Sequence, residues 1–208
     1  MYACAASLTI EKSAGRSAAA QGRMVIVLTS ARYHRPMPLL LVEAVTSAGN
    51  DPQTGRVEFI HLAQSEGEPM RATDRIRALA GIGLEGDRYA SGRGHFSKTP
   101  GTGRALTLIE AEVLEHLRDS LGIALRPGEG RRNVTTRGVA LNALVGHRFH
   151  IGNLLCEGMR LCEPCKYLEE LIRKPLVDPL LHRAGLRADV LEDGEIRIGD
   201  EVRLVHPG

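Results

Sequence analysis

The stretch His147-Arg148-Phe149-His150-Ile151-Gly152-Asn153-Leu154-Leu155-Cys156-Glu157-Gly158-Met159 reads as two strands joined at Gly152-Asn153. Asn and Gly tolerate the left-handed conformations that tight hairpin turns require. Directly after it comes Arg160-Leu161-Cys162-Glu163-Pro164-Cys165, with two thiols three positions apart and an arginine just ahead of them. Lys166 to Arg173 then reads as a helix, and Leu176 to His182 as a second short one interrupted by Pro179. The C-terminal end returns to β: Leu186 to Leu191, Ile196 to Ile198 and Val202 to Val205, with turns at Asp193-Gly194 and Gly199-Asp200.

Working back from the hairpin gives the same texture. Val57 to Leu62 looks like a strand, and Arg75 to Leu79 alternates polar and apolar residues as a half-buried strand does. Gly81 to Gly103 is a glycine-punctuated loop of about 20 residues, a length usually reserved for functional segments. Ala105 to Leu108 runs as a strand into a helix over Glu110 to Leu121, with Leu114, Leu117 and Leu121 on one face and Gly122 as its stop. Arg131 to Thr136 reads as a short strand, and Leu141 to Leu144 as one helical turn. Many short strands with few short helices predict a mixed, β-rich (α+β) fold, a β-barrel rather than a doubly wound sheet.

The N-terminal quarter is different. Residues 1–23 are rich in Ala, Ser and Gly without an apolar period, the composition of a disordered tail. An ordered pattern begins at Met24, a candidate start codon, with strands expected at Met24 to Thr29 and Leu39 to Thr46. These form a 24–56 extension of unassigned fold, with a linker over Ala48 to Gly55 and the main domain over 57–208.

Of 208 residues, 43% are hydrophobic and 25% charged, which is ordinary for a globular protein. A formal net charge of +2 gives no bulk attraction for nucleic acid or an anionic membrane, and the absence of Trp argues against base stacking. No run approaches the roughly 20 apolar residues of a membrane span, and no secretory h-region is present. The expectation is a cytoplasmic protein with no nucleic-acid or membrane partner, whose four cysteines are free thiols.

Three constellations carry chemistry. In Cys162-x-x-Cys165, Pro164 removes a backbone N–H and disfavours a helix starting at Cys162, so a thioredoxin-type pair is disfavoured. The same proline suits a helix beginning around Cys165, whose thiol would then sit at a positive helix end. Structural zinc would need Cys156, Cys162, Cys165 and a distant His147 or His182; two inert buried thiols are the bland alternative. The second is Arg131-Arg132-Asn133-Val134-Thr135, where arginines suit bidentate phosphate binding and Asn and Thr add polar contacts. An exposed basic strand would look the same. The third is Gly81 to Asp87 followed by Arg88, Arg93, His95 and Lys98, either a run of turns or a cationic loop over an anion. It lacks the P-loop pattern.

Taken together, the segments resemble the MOSC domain family, named for the C-terminal part of molybdenum cofactor sulfurases. The matching pieces are Gly83-Leu84-Glu85-Gly86-Asp87-Arg88, Ala105 to Glu110, Arg131 to Val134, Leu141 to Gly146, the Cys162 to Cys165 motif and Gly194 to Asp200, in that order. The likeness covers about residues 57–206 and is greatest for the small stand-alone bacterial members. It implies a β-rich barrel and a molybdenum cofactor, a pterin dithiolene with a phosphate tail whose metal is ligated by one protein cysteine. By position that ligand is Cys165. Arg131 or Arg132 and Asn133 would hold the cofactor, with Thr135, Arg160, Asp87 and Arg88 as further contacts. At the family level alone there is also an association with pyridoxal phosphate. Several members reduce N-hydroxylated compounds with electrons from a partner protein. Proton donors would come from Glu163, His95 and Asp87, while Arg160 and Arg131 would help keep Cys165 ionised. The alternative is a carrier of persulfide sulfur or of the cofactor, without turnover of a small substrate. The chain departs from the family pattern in having Gly94-His95-Phe96 where some relatives have His-Gly-Gly, and it shows no iron–sulfur cysteine set or flavin motif.

Overall fold

The computed structural model describes residues 54–99 and 101–205. The 1–23 tail and the strands expected at Met24 to Thr29 and Leu39 to Thr46 lie outside those residues. The elements are β1 (Thr54–Leu62), β2 (Arg71–Thr73), β3 (Arg75–Leu79), β4 (Gly83–Leu84), β5 (Leu106–Glu110), α1 (Ala111–Leu121), β6 (Val134–Arg137) and a 3-10 turn at Leu141–Leu144. After these come β7 (Arg148–Ile151), β8 (Leu154–Leu161), α2 (Lys166–Ile172), α3 (Val177–Leu180), β9 (Leu186–Val190), β10 (Gly194–Arg197) and β11 (Glu201–Leu204).

Seven strands close on themselves in the order β1-β6-β5-β9-β8-β7-β11, with β11 pairing back onto β1. Closure leaves those strands no open edge. All neighbours are antiparallel except β5 and β6, which run parallel with Leu108 opposite Val134. A parallel pair needs a long crossover, and α1 with the 122–133 segment supplies it. β2 lengthens one end of the sheet beside β1, and β10-β3-β4 make a small separate sheet. The expected β-barrel with few short helices is therefore the observed architecture, and among the described residues no helix is long and apolar enough to cross a membrane.

Alternation decides what fills the barrel. β8 turns Leu154, Cys156 and Gly158 inward, and β9 turns Leu186, Ala188 and Val190 inward. They join Phe149, Leu106, Leu108, Leu141, Ile151 and Ile196 in a core where these side chains are essentially fully buried. Each large aliphatic there is worth about 1.5–3 kcal/mol. A second apolar layer lies between the helices: Ile109, Leu114 and Leu117 meet Leu168, Leu176 and Leu180. Leu121, expected on that face, is exposed. The helix ends there, with Gly122 left-handed (φ 67°) and its N–H on the Arg118 carbonyl.

Two glycines allow backbones to touch. A Cβ on Gly158 would lie 2.0 Å from the Leu144 oxygen, and one on Gly185 (φ 101°) would lie 1.9 Å from the Leu108 oxygen. The first lets the 3-10 turn rest on β8, and the second lets the entry to β9 cross β5. The strand expected from Arg131 begins only at Val134, because Arg131 is left-handed (φ 63°) and cannot extend a ladder. The long glycine loop contains β4, which pairs with the end of β3.

Candidate functional site

The end of β8 delivers the cysteine motif to the gap between the barrel and the helical layer. The Cys162 N–H donates to the Gly185 carbonyl at 2.7 Å, and its side chain is buried. Pro164 keeps the chain extended. Cys165 is still extended (φ −144°, ψ 160°) and caps α2, so the helix begins one residue after it. Its carbonyl accepts from Leu168 and Glu169. Its thiol is free and half-buried. Cys165 lines a solvent-open cleft that it shares with Arg88, Arg131, Arg132, Arg187 and Cys162.

The arginines of that wall are held in different ways. Arg132 is buried, and its guanidinium donates to the Ala184, Gly130 and Cys162 carbonyls, each at 2.8 Å. It therefore ties the start of β6 to the cysteine segment. Arg88, also buried, pairs with Asp87 at 3.1 Å and donates to the Arg131 carbonyl at 3.1 Å. Arg131 donates to the Glu68 carbonyl. Burial first, and then the neighbouring Arg88, depress its guanidinium below the ordinary value, though arginine stays charged. Arg187 Nη1 is buried without a hydrogen-bond partner among the described residues. Unused donor capacity of that kind awaits an acceptor.

Several residues expected to touch a ligand do not line the cleft. Asn133 is 1% exposed, and its amide is consumed: Nδ2 donates to the His61 carbonyl and to Asp87, and Oδ1 accepts from the Thr107 hydroxyl at 2.7 Å. Asp87 is equally sealed and accepts from Ala63, Arg88, Tyr89 and Asn133, so it braces Arg88 and is not placed to hand over a proton. The Thr135 hydroxyl is buried without a partner among the described residues, away from the cleft lining. Arg160 is exposed on β8 opposite Arg187 and is likewise absent from the lining. Glu163 does line the cleft, but both oxygens engage His182, through its backbone N–H (2.9 Å) and Nδ1 (2.8 Å). Burial pushes that carboxyl up, yet the His182 bonds outweigh it and hold it below the usual range. Glu163 thus meets the cleft with both oxygens already engaged by His182.

Among the described residues no three His, Cys, Asp or Glu side chains gather as metal ligands. Cys156 lies inside the barrel, where burial pushes its thiol up to about 12 and favours the neutral form. His95, by contrast, is on the cleft wall.

Sequence reasoning missed Glu66, Tyr89, Phe96, Tyr167 and Arg187 on that wall. Tyr167 had a usable signal, because it is one of only four tyrosines and lies two residues beyond Cys165. Arg187 occupies an outward position in an alternating strand. Glu66 stands in a turn and carries no local signal.

This chain belongs to the MOSC domain family: the family's model matches residues 91–203. Solved structures share the fold. The YuaD protein from Bacillus subtilis is 20% identical with a TM-score of 0.61, covering 73% of this chain and 95% of its own. YiiM from Geobacillus stearothermophilus is 17% identical with a TM-score of 0.57, covering 74% and 76%. YiiM from Escherichia coli is 21% identical with a TM-score of 0.52, covering 74% and 71%. At such identities the likeness is one of fold. A comparison with curated proteins gives no match. The family is associated with the molybdenum cofactor.

Proposed function

We propose that the chain is an oxidoreductase that holds the molybdenum cofactor in this cleft, with the Cys165 thiolate as metal ligand. In this reading it reduces N-hydroxylated or related N–O compounds, and a separate protein supplies the electrons. The observation that carries it is a free, half-buried thiol sharing one cleft with four guanidinium groups, one of which has an unpartnered buried nitrogen.

The residues fit the group. A phosphate-bearing anion calls for guanidinium donors, and Arg131 and Arg187 offer them while Arg88 and Arg132 hold the wall in place. A metal already bound by dithiolene sulfur calls for a soft protein ligand, and an accessible thiol is one. When bound, the cofactor supplies two-electron redox chemistry at a sulfur-ligated metal. The protein's part is to place Cys165 at the start of α2, where Pro164 and the extended backbone fix its direction. It also keeps Cys156 out of the chemistry by sealing it in the barrel. The cysteine pair is unequal for the same reason: Cys162 is buried at the foot of the wall, with its carbonyl on Arg132.

Elemental analysis tests the reading. Protein purified from a cofactor-competent host should carry molybdenum, and Cys165→Ala should lose it. Stoichiometric zinc without molybdenum would sink the proposal. Cyanide-releasable sulfur on Cys165 with no reductase activity would instead identify a sulfur carrier.

A further inference from the structure

Three side chains on the cleft wall serve neither the thiol nor the arginines. Glu66 comes from the turn after β1, His95 from the glycine-rich loop and Tyr167 from the first turn of α2, and all three line the cleft with Cys165. The Glu66 carboxylate meets His95 Nδ1, and the nearby Tyr167 hydroxyl helps His95 hold that carboxyl below its ordinary value. The Glu66 N–H donates to the Arg93 carbonyl at 3.0 Å, which ties its turn to the loop carrying His95. Within that loop, Gly94 and Ser97 bond each other twice, at 2.9 Å each. The His95 ring stacks on Tyr167 (centroids 3.8 Å apart, planes 9° apart), and Phe96 meets it edge-on at 4.5 Å.

Stacking fixes the plane of the imidazole, and the carboxylate fixes its rotation within that plane. With Nδ1 committed to Glu66, Nε2 is the ring nitrogen left to face a ligand. A histidine oriented by a carboxylate at one nitrogen is the arrangement used where the other nitrogen transfers a proton. An incidental surface pair would need neither the stack nor a place on the same cleft as a free, accessible thiol.

We propose that His95 is the proton donor to the oxygen that leaves when an N–O bond is reduced, with Glu66 and Tyr167 as positioning residues. The inference rests on the oxidoreductase reading above and deepens it. For R–NH–OH the balanced change is R–NH–OH + 2 e⁻ + 2 H⁺ → R–NH2 + H2O. The N–O bond breaks, and the two electrons originate in a one-electron donor protein of the flavin or iron–sulfur class. The imidazolium Nε2–H gives its proton to the departing oxygen, which leaves as water rather than hydroxide. The ring is left neutral with its remaining proton on Nδ1, facing Glu66. Solvent supplies the second proton and recharges the ring, which is open to it.

The first test needs no turnover. Nitrogen-15 NMR of the histidines in the unloaded protein, at a pH where the His95 ring is neutral, should show its proton on Nδ1. Glu66→Gln should shift the population toward Nε2–H. A ring already carrying its proton on Nε2 in the wild type overturns the proposal.

The second test uses loaded enzyme and two substrates, an N-hydroxy compound and its N-aryloxy analogue with a stable phenolate leaving group. His95→Asn should lower kcat for the first by about 100- to 10,000-fold, the usual span for general acid catalysis. The loss for the second should be much smaller, because phenolate needs no proton to depart. Glu66→Gln should lower kcat with KM little changed, and Glu66→Asp should restore part of it. Equal losses on both substrates overturn the acid role while leaving the oxidoreductase reading intact. A wild-type protein with no molybdenum and no N–O reduction overturns that reading, and this step with it.

Discussion

The barrel wall and the cleft wall are made from the same strands, yet they treat polar groups in opposite ways. At the start of β6 two side chains are fully spent: Asn133 answers His61, Asp87 and Thr107, and Arg132 answers three carbonyls. On the cleft wall capacity remains, in the Cys165 thiol, the Arg187 guanidinium and one nitrogen of His95. Arg131 and Arg132 show how local the boundary is. They are adjacent in sequence and both line the cleft, but Arg132 is buried with its guanidinium on three carbonyls, whereas Arg131, left-handed at φ 63°, donates to the Glu68 carbonyl. The satisfied groups at the start of β6 brace the cleft wall, and the groups with spare capacity on that wall are the ones placed to meet a ligand.

Substitution at the seam between the two walls should do the most damage. Gly185 sits where the entry to β9 crosses β5, with its carbonyl on the Cys162 N–H. A methyl there meets the Leu108 oxygen at 1.9 Å, on a backbone with φ 101°. Gly185→Ala should cost on the order of 3 kcal/mol or more, from a backbone clash and an unfavourable conformation together. Chemical denaturation reads it. A loss below about 1 kcal/mol would mean that the contact relaxes freely.

Next come the two arginines. Arg132→Leu removes one buried cation and leaves three carbonyls without it, so a loss of about 3 kcal/mol is expected. Arg131→Gln should cost roughly 1 kcal/mol or less in stability while weakening retention of an anionic ligand. Equal destabilisation by both would erase the distinction between the two walls.

Much of the barrel was legible because its signals are periodic. The alternation at Leu186, Ala188 and Val190 and the Gly152-Asn153 turn announce strands whatever lies around them. The ordered set of motifs gave the family, and Pro164 placed the start of α2 to within a residue. The site was less legible, because burial and bonding are decided by distant partners. Asn133 and Asp87 have the residue types of a binding site, but each finds its partners far along the chain and is enclosed by them. Glu66 stands in a turn with no local signal, and its meaning comes only from His95 and Tyr167, 29 and about 100 positions away.

A smaller effect separates the thiols. Cys165 is half-buried, Cys162 is 1% exposed and Cys156 0%, and burial pushes the Cys156 thiol up to about 12. Alkylation of native protein, followed peptide by peptide, should modify Cys165 first. Cys156 should remain unmodified until the protein unfolds, because reaction needs both access and thiolate. Cys165→Ala should leave the unfolding midpoint nearly unchanged. If Cys156 reacts as fast as Cys165, the barrel interior is not sealed.

The smallest predicted effect lies at the parallel β5–β6 crossover. Glu110 ends β5, and its carboxylate accepts from the Leu141 N–H at 2.7 Å. Burial raises its carboxyl above the ordinary value; the Leu141 bond pulls it down by less, and Glu112 adds to the rise. Because the folded value is raised, the protonated form is the one folding favours. Its stabilising contribution is complete below the unfolded value of about 4.3 and disappears as pH rises through the folded value. Glu110→Gln keeps an oxygen for Leu141 without the charge. Its stability relative to wild type should therefore rise between about pH 4 and pH 7, as read by urea unfolding at each pH. A variant that loses ground over that range would show that the charged bond to Leu141 outweighs the cost of burying Glu110, and that this carboxylate belongs with the satisfied groups of the barrel wall.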